Sequence, residues 1–135
     1  MVPIFLIGFI IVGLVSSIRS LLTTNQTRNQ FVSIENVILL CLIYVTVLIG
    51  FGLIYTILDI HSSGILVESG IAITGSFRKK LEASMYFSAI TLLSVGYGDI
   101  TPIGVGRWIA VIEALLGYIM PMAFVVRTVI NIEKG

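Results

Sequence analysis

Residues 81–99 read LEASMYFSAITLLSVGYGD, a short apolar helix-forming run followed by glycines at alternate positions. The run from Leu81 to Leu93 predicts a helix with Glu82 in its first turn, where a carboxylate suits the positive end of the helix dipole. Such a helix is only about 20 Å long, so it can enter a hydrocarbon layer of about 30 Å but cannot cross it. It is therefore expected to be re-entrant. Ser94-Val95-Gly96-Tyr97-Gly98-Asp99 cannot prolong it without cost, since each interior glycine weakens a helix by about 1 kcal/mol.

Non-helical backbone at membrane depth leaves carbonyls without intrachain partners, at several kcal/mol each unless protein or water satisfies them. Alternate glycines permit φ > 0 at Gly96 and Gly98, which can turn successive carbonyl oxygens to one side. A column of such oxygens, repeated around a symmetry axis, can replace the hydration shell of a cation.

The rest of the chain is suited to a membrane. Of its 135 residues, 57% are hydrophobic and 11% charged, against about 45–50% and 25% in soluble domains, which excludes a water-soluble globule. Eight Lys+Arg against seven Asp+Glu give a net charge of +1, so there is no basic stripe for nucleic acid. A single cysteine, Cys41, leaves no disulfide framework and no Cys/His metal cluster. Pro3 to Leu22 carries one charge, Arg19, near its end, and Met1-Val2-Pro3 lacks the basic region of a signal peptide; residues 1–24 are read as a retained transmembrane helix. Asn36 to Ile60 stays uncharged until Asp59 and is the clearest span. Arg107 to Ile132 is interrupted by Glu113, Gly117 and Pro121, the profile of a helix that faces water or protein along one side.

Thr91-Leu92-Leu93-Ser94-Val95-Gly96-Tyr97-Gly98-Asp99 resembles the selectivity filter of potassium channels, built from TVGYG loops of four subunits. The resemblance runs from about Asn36 to Ile132. It implies an all-α membrane protein assembled as a homotetramer, with a pore domain over 36–135: outer helix 36–60, turret 61–80, pore helix 81–93, filter 94–99 and inner helix 106–132. Residues 25–35 become a cytoplasmic linker. Carbonyls of Ser94, Val95, Gly96, Tyr97 and Gly98 would line the ion path, with K+ held at Ser94, Val95, Gly96 and Tyr97. Asp99 would attract cations at the outer mouth. Ser94 stands where the family usually has threonine, keeping the hydroxyl and losing the methyl that stiffens χ1. The intact Tyr97 favours potassium over a nonselective pore. Tyr86 and Phe87 fall where relatives carry an aromatic cuff around the filter, and Thr91 is counted with Tyr86 among its supports; packing is expected of Tyr86 ahead of a bond from its hydroxyl to Asp99. Ile90 removes the buried glutamate that some members carry behind the filter.

Glu113 is a carboxylate at membrane depth, functional by default. Two roles stand open: accepting a hydrogen bond from Thr91, Ser94 or a pore-loop N–H and so bracing the filter, or packing as a neutral acid. Gly117 aligns with the flexible glycine of the family's inner helices, and Pro121 should kink the helix; together they form either a gate hinge or a static bend. Tyr118, Pro121, Val125 and Val129 share a helical stripe expected to face the cavity. Arg78-Lys79-Lys80 is read as a solvated loop before the pore helix and His61 as solvated. The sequon Asn25-Gln26-Thr27 falls on the cytosolic side.

These readings converge on passive, potassium-selective conduction with no catalytic step and no cofactor beyond K+ in the filter. The partners are three further copies, the lipid bilayer and K+. The resemblance implies a multi-pass protein of a prokaryotic plasma membrane. A nonselective monovalent cation channel and a non-conducting accessory subunit remain as alternatives. A potassium-uptake transporter would repeat the motif four times in one chain, and one copy is present. No regularly spaced arginines support voltage sensing. After Ile132 come only Glu133, Lys134 and Gly135, so two readings stand open: a minimal pore, or a piece of a larger protein whose regulatory domain is missing here or sits on a separate chain. Four basic residues fall on each side of the assigned topology, so the positive-inside rule does not orient it.

Overall fold

Long apolar runs dictate two membrane-length helices, and the structure, a computed structural model describing residues 2–23, 34–61 and 64–133, contains them. In chain order the elements are α1 (Val2–Thr23), α2 (Ile34–His61), β1 (Leu66–Glu68), β2 (Ile71–Ala72), α3 (Phe77–Leu92), β3 (Ile100–Pro102) and α4 (Val105–Glu133). Helices α2 and α4 are long and apolar enough to cross a bilayer. Helix α1 packs on α2. Residues 24–33, most of the expected linker and all of the sequon, lie outside the described residues.

Helix α3 begins four residues earlier than the hydropathy suggests. Ser76, extended at φ −67° and ψ 158°, ends the loop, and its carbonyl accepts the N–H groups of Lys79 (3.0 Å) and Lys80 (3.2 Å). Arg78, Lys79 and Lys80 therefore sit at the start of a helix and not in a loop, and Glu82 lies beyond the first turn. Positive charge at a helix N-terminus opposes the dipole, and Lys80 is offset by a partner: its Nζ is 2.9 Å from Asp59 Oδ2 and 3.1 Å from the Asp59 carbonyl. Asp59 is buried at the end of α2, and its Oδ1 accepts the N–H groups of Ile65 (2.9 Å) and Leu66 (3.4 Å).

The chain is mostly helical, in keeping with the all-α expectation, and between α2 and α4 it adds a small three-stranded antiparallel sheet of order β2-β1-β3. Val67 faces Ala72 across one pairing and Thr101 across the other. Ser69 (φ 50°) and Gly70 (φ 82°) make the tight two-residue turn, and with both φ positive its backbone matches the right-handed twist of the strands. Strands of two and three residues are too short for a period-2 pattern, so hydropathy reads them as loop.

The core lies where α2, α3 and α4 meet. Val47, Phe51 and Tyr55 of α2 cluster with Phe87, Ile90 and Leu92 of α3 and Met120 of α4, and Ile65, Leu66, Ile73 and Ile100 extend the cluster to the sheet. Tyr55 and Phe87 meet edge to face at 5.1 Å. Gly52 lets α3 approach α2 closely, since a Cβ there would lie 3.2 Å from Met85 Cα. Every burial of this kind brings the C-terminal end of α3 to a fixed place against α4.

Candidate functional site: the segment after α3 and its supports

The end of α3 unwinds through a short ladder of backbone bonds. Leu93, at φ −83° and ψ 3°, donates to Ala89; Ser94 N–H donates to Thr91 O (3.0 Å), and the N–H groups of Val95 (2.8 Å) and Gly96 (3.1 Å) both reach Ile90 O. Beyond it the backbone alternates. Ser94, Gly96 and Gly98 have φ of 56°, 58° and 80°, while Val95 and Tyr97 stay negative. Alternation between left- and right-handed residues gathers successive N–H groups on one side of the chain and turns the carbonyls to the other. A Cβ on Gly96 or Gly98 would meet nothing within 4 Å, so the conformation and not the space calls for glycine there. Ser94 takes the same conformation with a side chain, at a cost of order 1 kcal/mol, and the bonds from Val95 and Gly96 to Ile90 hold it. Its positive φ is not foreseen from glycine spacing. Leu93 through Asp99 are exposed in the single chain.

The outer end of the segment is tied twice. Asp99 O accepts the N–H of Ser69 in the hairpin turn (3.0 Å), and Asp99 Oδ2 accepts the Tyr86 hydroxyl (2.8 Å). The expectation that Tyr86 merely packs is thereby corrected: α3 and the sheet hold residue 99 at the distance the phenol spans.

Behind α3, Glu113 is fully buried, and its partners differ from those expected. Oε2 accepts the Tyr55 hydroxyl at 2.8 Å, and Oε1 is bonded to Ser88 Oγ. Thr91, Ser94 and the amides of residues 94–99 are not its partners. The reason is register: Gly117 abuts Leu92, so one turn back along each helix places residue 113 beside residue 88. Glu113 thus braces the middle of α3 rather than the 94–99 segment. Ser88 Oγ also lies 2.9 Å from Leu48 O. One hydroxyl hydrogen cannot serve both Leu48 O and an ionised carboxylate. With a proton on Glu113 Oε1 every bond is made: Glu113 donates to Ser88, Ser88 to Leu48, and Tyr55 to Oε2.

Gly117 is a point of contact. A Cβ there would fall 2.0 Å from Leu92 O and 2.8 Å from its carbonyl carbon, and Gly117 O accepts the Tyr44 hydroxyl at 2.9 Å. Pro121 lies inside α4, which continues through it. Tyr118, Pro121 and Val125 are exposed; Val129 belongs to the α4 backbone, and its side chain lies outside the described residues. Among the described residues no three His, Cys, Asp or Glu side chains come together as metal ligands would. Sequence reasoning missed Tyr44, Tyr55, Asp59, Lys80 and Ser88. Their signal is a polar group inside or beside an apolar run, which must find a partner when buried.

Residues 42–134 match the ion-channel family, a stretch that holds most of α2, the sheet, α3, the 94–99 segment and α4. The chain is 43% identical over 128 residues to Protein LctB of Geobacillus stearothermophilus, covering 95% of this chain and 96% of that protein. It is 44% identical over 125 residues to Protein LctB of Bacillus caldotenax, covering 93% of each. No solved structure matches it significantly. Two membrane-length helices flanking a shorter one, together with this match over more than half its length, place the chain in the ion-channel family.

Proposed function

We propose that four copies of this chain form a potassium-selective channel of a bacterial plasma membrane, with residues 94–98 of each copy contributing to one ion path. The observation that carries the reading is the alternating φ from Ser94 to Gly98. A backbone of that kind presents a row of carbonyl oxygens, and four rows around an axis can replace the water that K+ sheds. K+ sits among the oxygens of Ser94, Val95, Gly96 and Tyr97, and Asp99 draws cations to the outer mouth. Helix α3 has 16 residues, about 24 Å, so it delivers this segment to mid-membrane without crossing. Exposure of Leu93 through Asp99 in the single chain fits a surface that other copies complete. Tyr118, Pro121, Val125 and Val129 line the cavity below, α1 crosses as a third span, and no reaction is catalysed.

Purified protein in planar bilayers, with potassium on one side and sodium on the other, tests the proposal. The current should reverse near the potassium equilibrium potential. Reversal near zero would mean a nonselective cation pore, and no current in active reconstitutions would mean an accessory subunit.

A further inference from the structure

A proline inside a helix has no N–H for the carbonyl four residues before it. For Pro121 that carbonyl belongs to Gly117. In a membrane-crossing helix such an oxygen needs a donor from elsewhere, and here the donor is identifiable: the hydroxyl of Tyr44, on α2 and 73 residues away in sequence, points at Gly117 O from 2.9 Å. We infer that Tyr44 replaces the amide that Pro121 lacks and is thereby the positioning residue that fixes the direction of α4 against α2 beyond Pro121.

Two further observations support the inference. Gly117 is already held from the other side, because its Cα lies so close to the Leu92 carbonyl that a Cβ would stand 2.0 Å from it. The Gly117 peptide is thus gripped by α3 and α2 at once, at the turn where the α4 ladder is broken. Tyr44 is half-buried and packs against the core cluster that holds Val47, Phe51 and Tyr55 of its own helix. With the tie made, the part of α4 beyond Pro121 keeps one angle to α2. With it broken, the freed carbonyl must turn to another donor, and the last turns of α4 pivot. The effect on current rests on the conducting function proposed above; the bond itself does not.

The test uses both. Carbonyl-13C glycine combined with 15N tyrosine selects Gly–Tyr pairs, which occur in the sequence only at 96–97 and 117–118, so Gly96 serves as the internal reference. In the full-length protein in lipid, Tyr44→Phe should move the Gly117 carbonyl resonance and leave that of Gly96 in place. In single-channel records the same substitution should change the ratio of open to closed time by roughly tenfold, the scale of an acceptor left unpaired. Pro121→Ala returns the missing amide, and in that background Tyr44→Phe should change the ratio by less than about twofold, the scatter of independent sites. Melting midpoints in detergent should show the same non-additivity if a variant does not conduct. An unmoved Gly117 resonance, or equal effects of Tyr44→Phe in both backgrounds, overturns the inference. A moved resonance in a protein that passes no current upholds it and defeats the proposed conduction instead.

Discussion

Replacing Gly117 by alanine separates two views of the inner helix. If the glycine is there for flexibility, alanine should stiffen α4 and favour the fold by about 1 kcal/mol of helix propensity. The structure predicts the opposite. The new Cβ would lie 2.0 Å from Leu92 O, 2.8 Å from Leu92 C and 3.1 Å from Leu92 Cα, whereas ordinary contact begins at 3.4 Å. All three atoms are backbone at the end of α3, so no rotamer change relieves the overlap. Either α4 retreats and releases the Tyr44 bond to Gly117 O, or the end of α3 retreats and carries Ile90 with it. Ile90 O anchors Val95 and Gly96, so the second route also disturbs the 94–98 backbone. Overpacking of this kind costs about 1–3 kcal/mol, which outweighs the propensity gain. Thermal denaturation of the reconstituted protein should show a lowered midpoint, and bilayer recordings a current that is lost or altered in selectivity. A Gly117→Ala protein that melts higher and conducts unchanged would refute the contact and restore the hinge.

Glu113→Gln keeps an acceptor for Tyr55 and a donor for Ser88, so its melting midpoint should stay close to that of the unaltered protein. Glu113→Leu strands the Tyr55 hydroxyl and should cost about 1–3 kcal/mol; equal damage from both would mean that Glu113 acts as a charge. Lys80→Met leaves Asp59, only 2% exposed, without its cation, at about 3 kcal/mol, and Asp59→Asn added to it should recover part of the lost midpoint; no recovery would remove the ion pair from the account. Tyr86→Phe breaks the bond to Asp99 on an exposed surface, so it should leave the midpoint in place while shortening conducting bursts, and unaltered bursts would show that the bond is idle.

Much of the architecture is legible in hydropathy. An apolar run from 36 to 60 forces α2, and the interrupted run after Arg107 marks α4 as a helix with one side away from lipid. The alternate glycines announce a departure from helix after Leu93, because few other residues accept positive φ cheaply. What hydropathy hides is pairing. The bonds from Tyr44 to Gly117 and from Tyr55 to Glu113 link residues 73 and 58 positions apart, and only the crossing of α2 with α4 brings them together. The start of α3 was hidden by three basic residues that look like loop, although Lys80 is drawn inward by Asp59. Ser94's conformation is set by bonds to Ile90, a fact of the fold and not of residue type.

The central claim, that peptide oxygens from residues 94–98 of four chains coordinate K+ stripped of water, is tested most directly by diffraction from crystals of the protein grown or soaked in thallium. Anomalous peaks spaced along a fourfold axis between those oxygens are the predicted result. An assembly lacking that axis, or an axis with no thallium between the carbonyls, would contradict it.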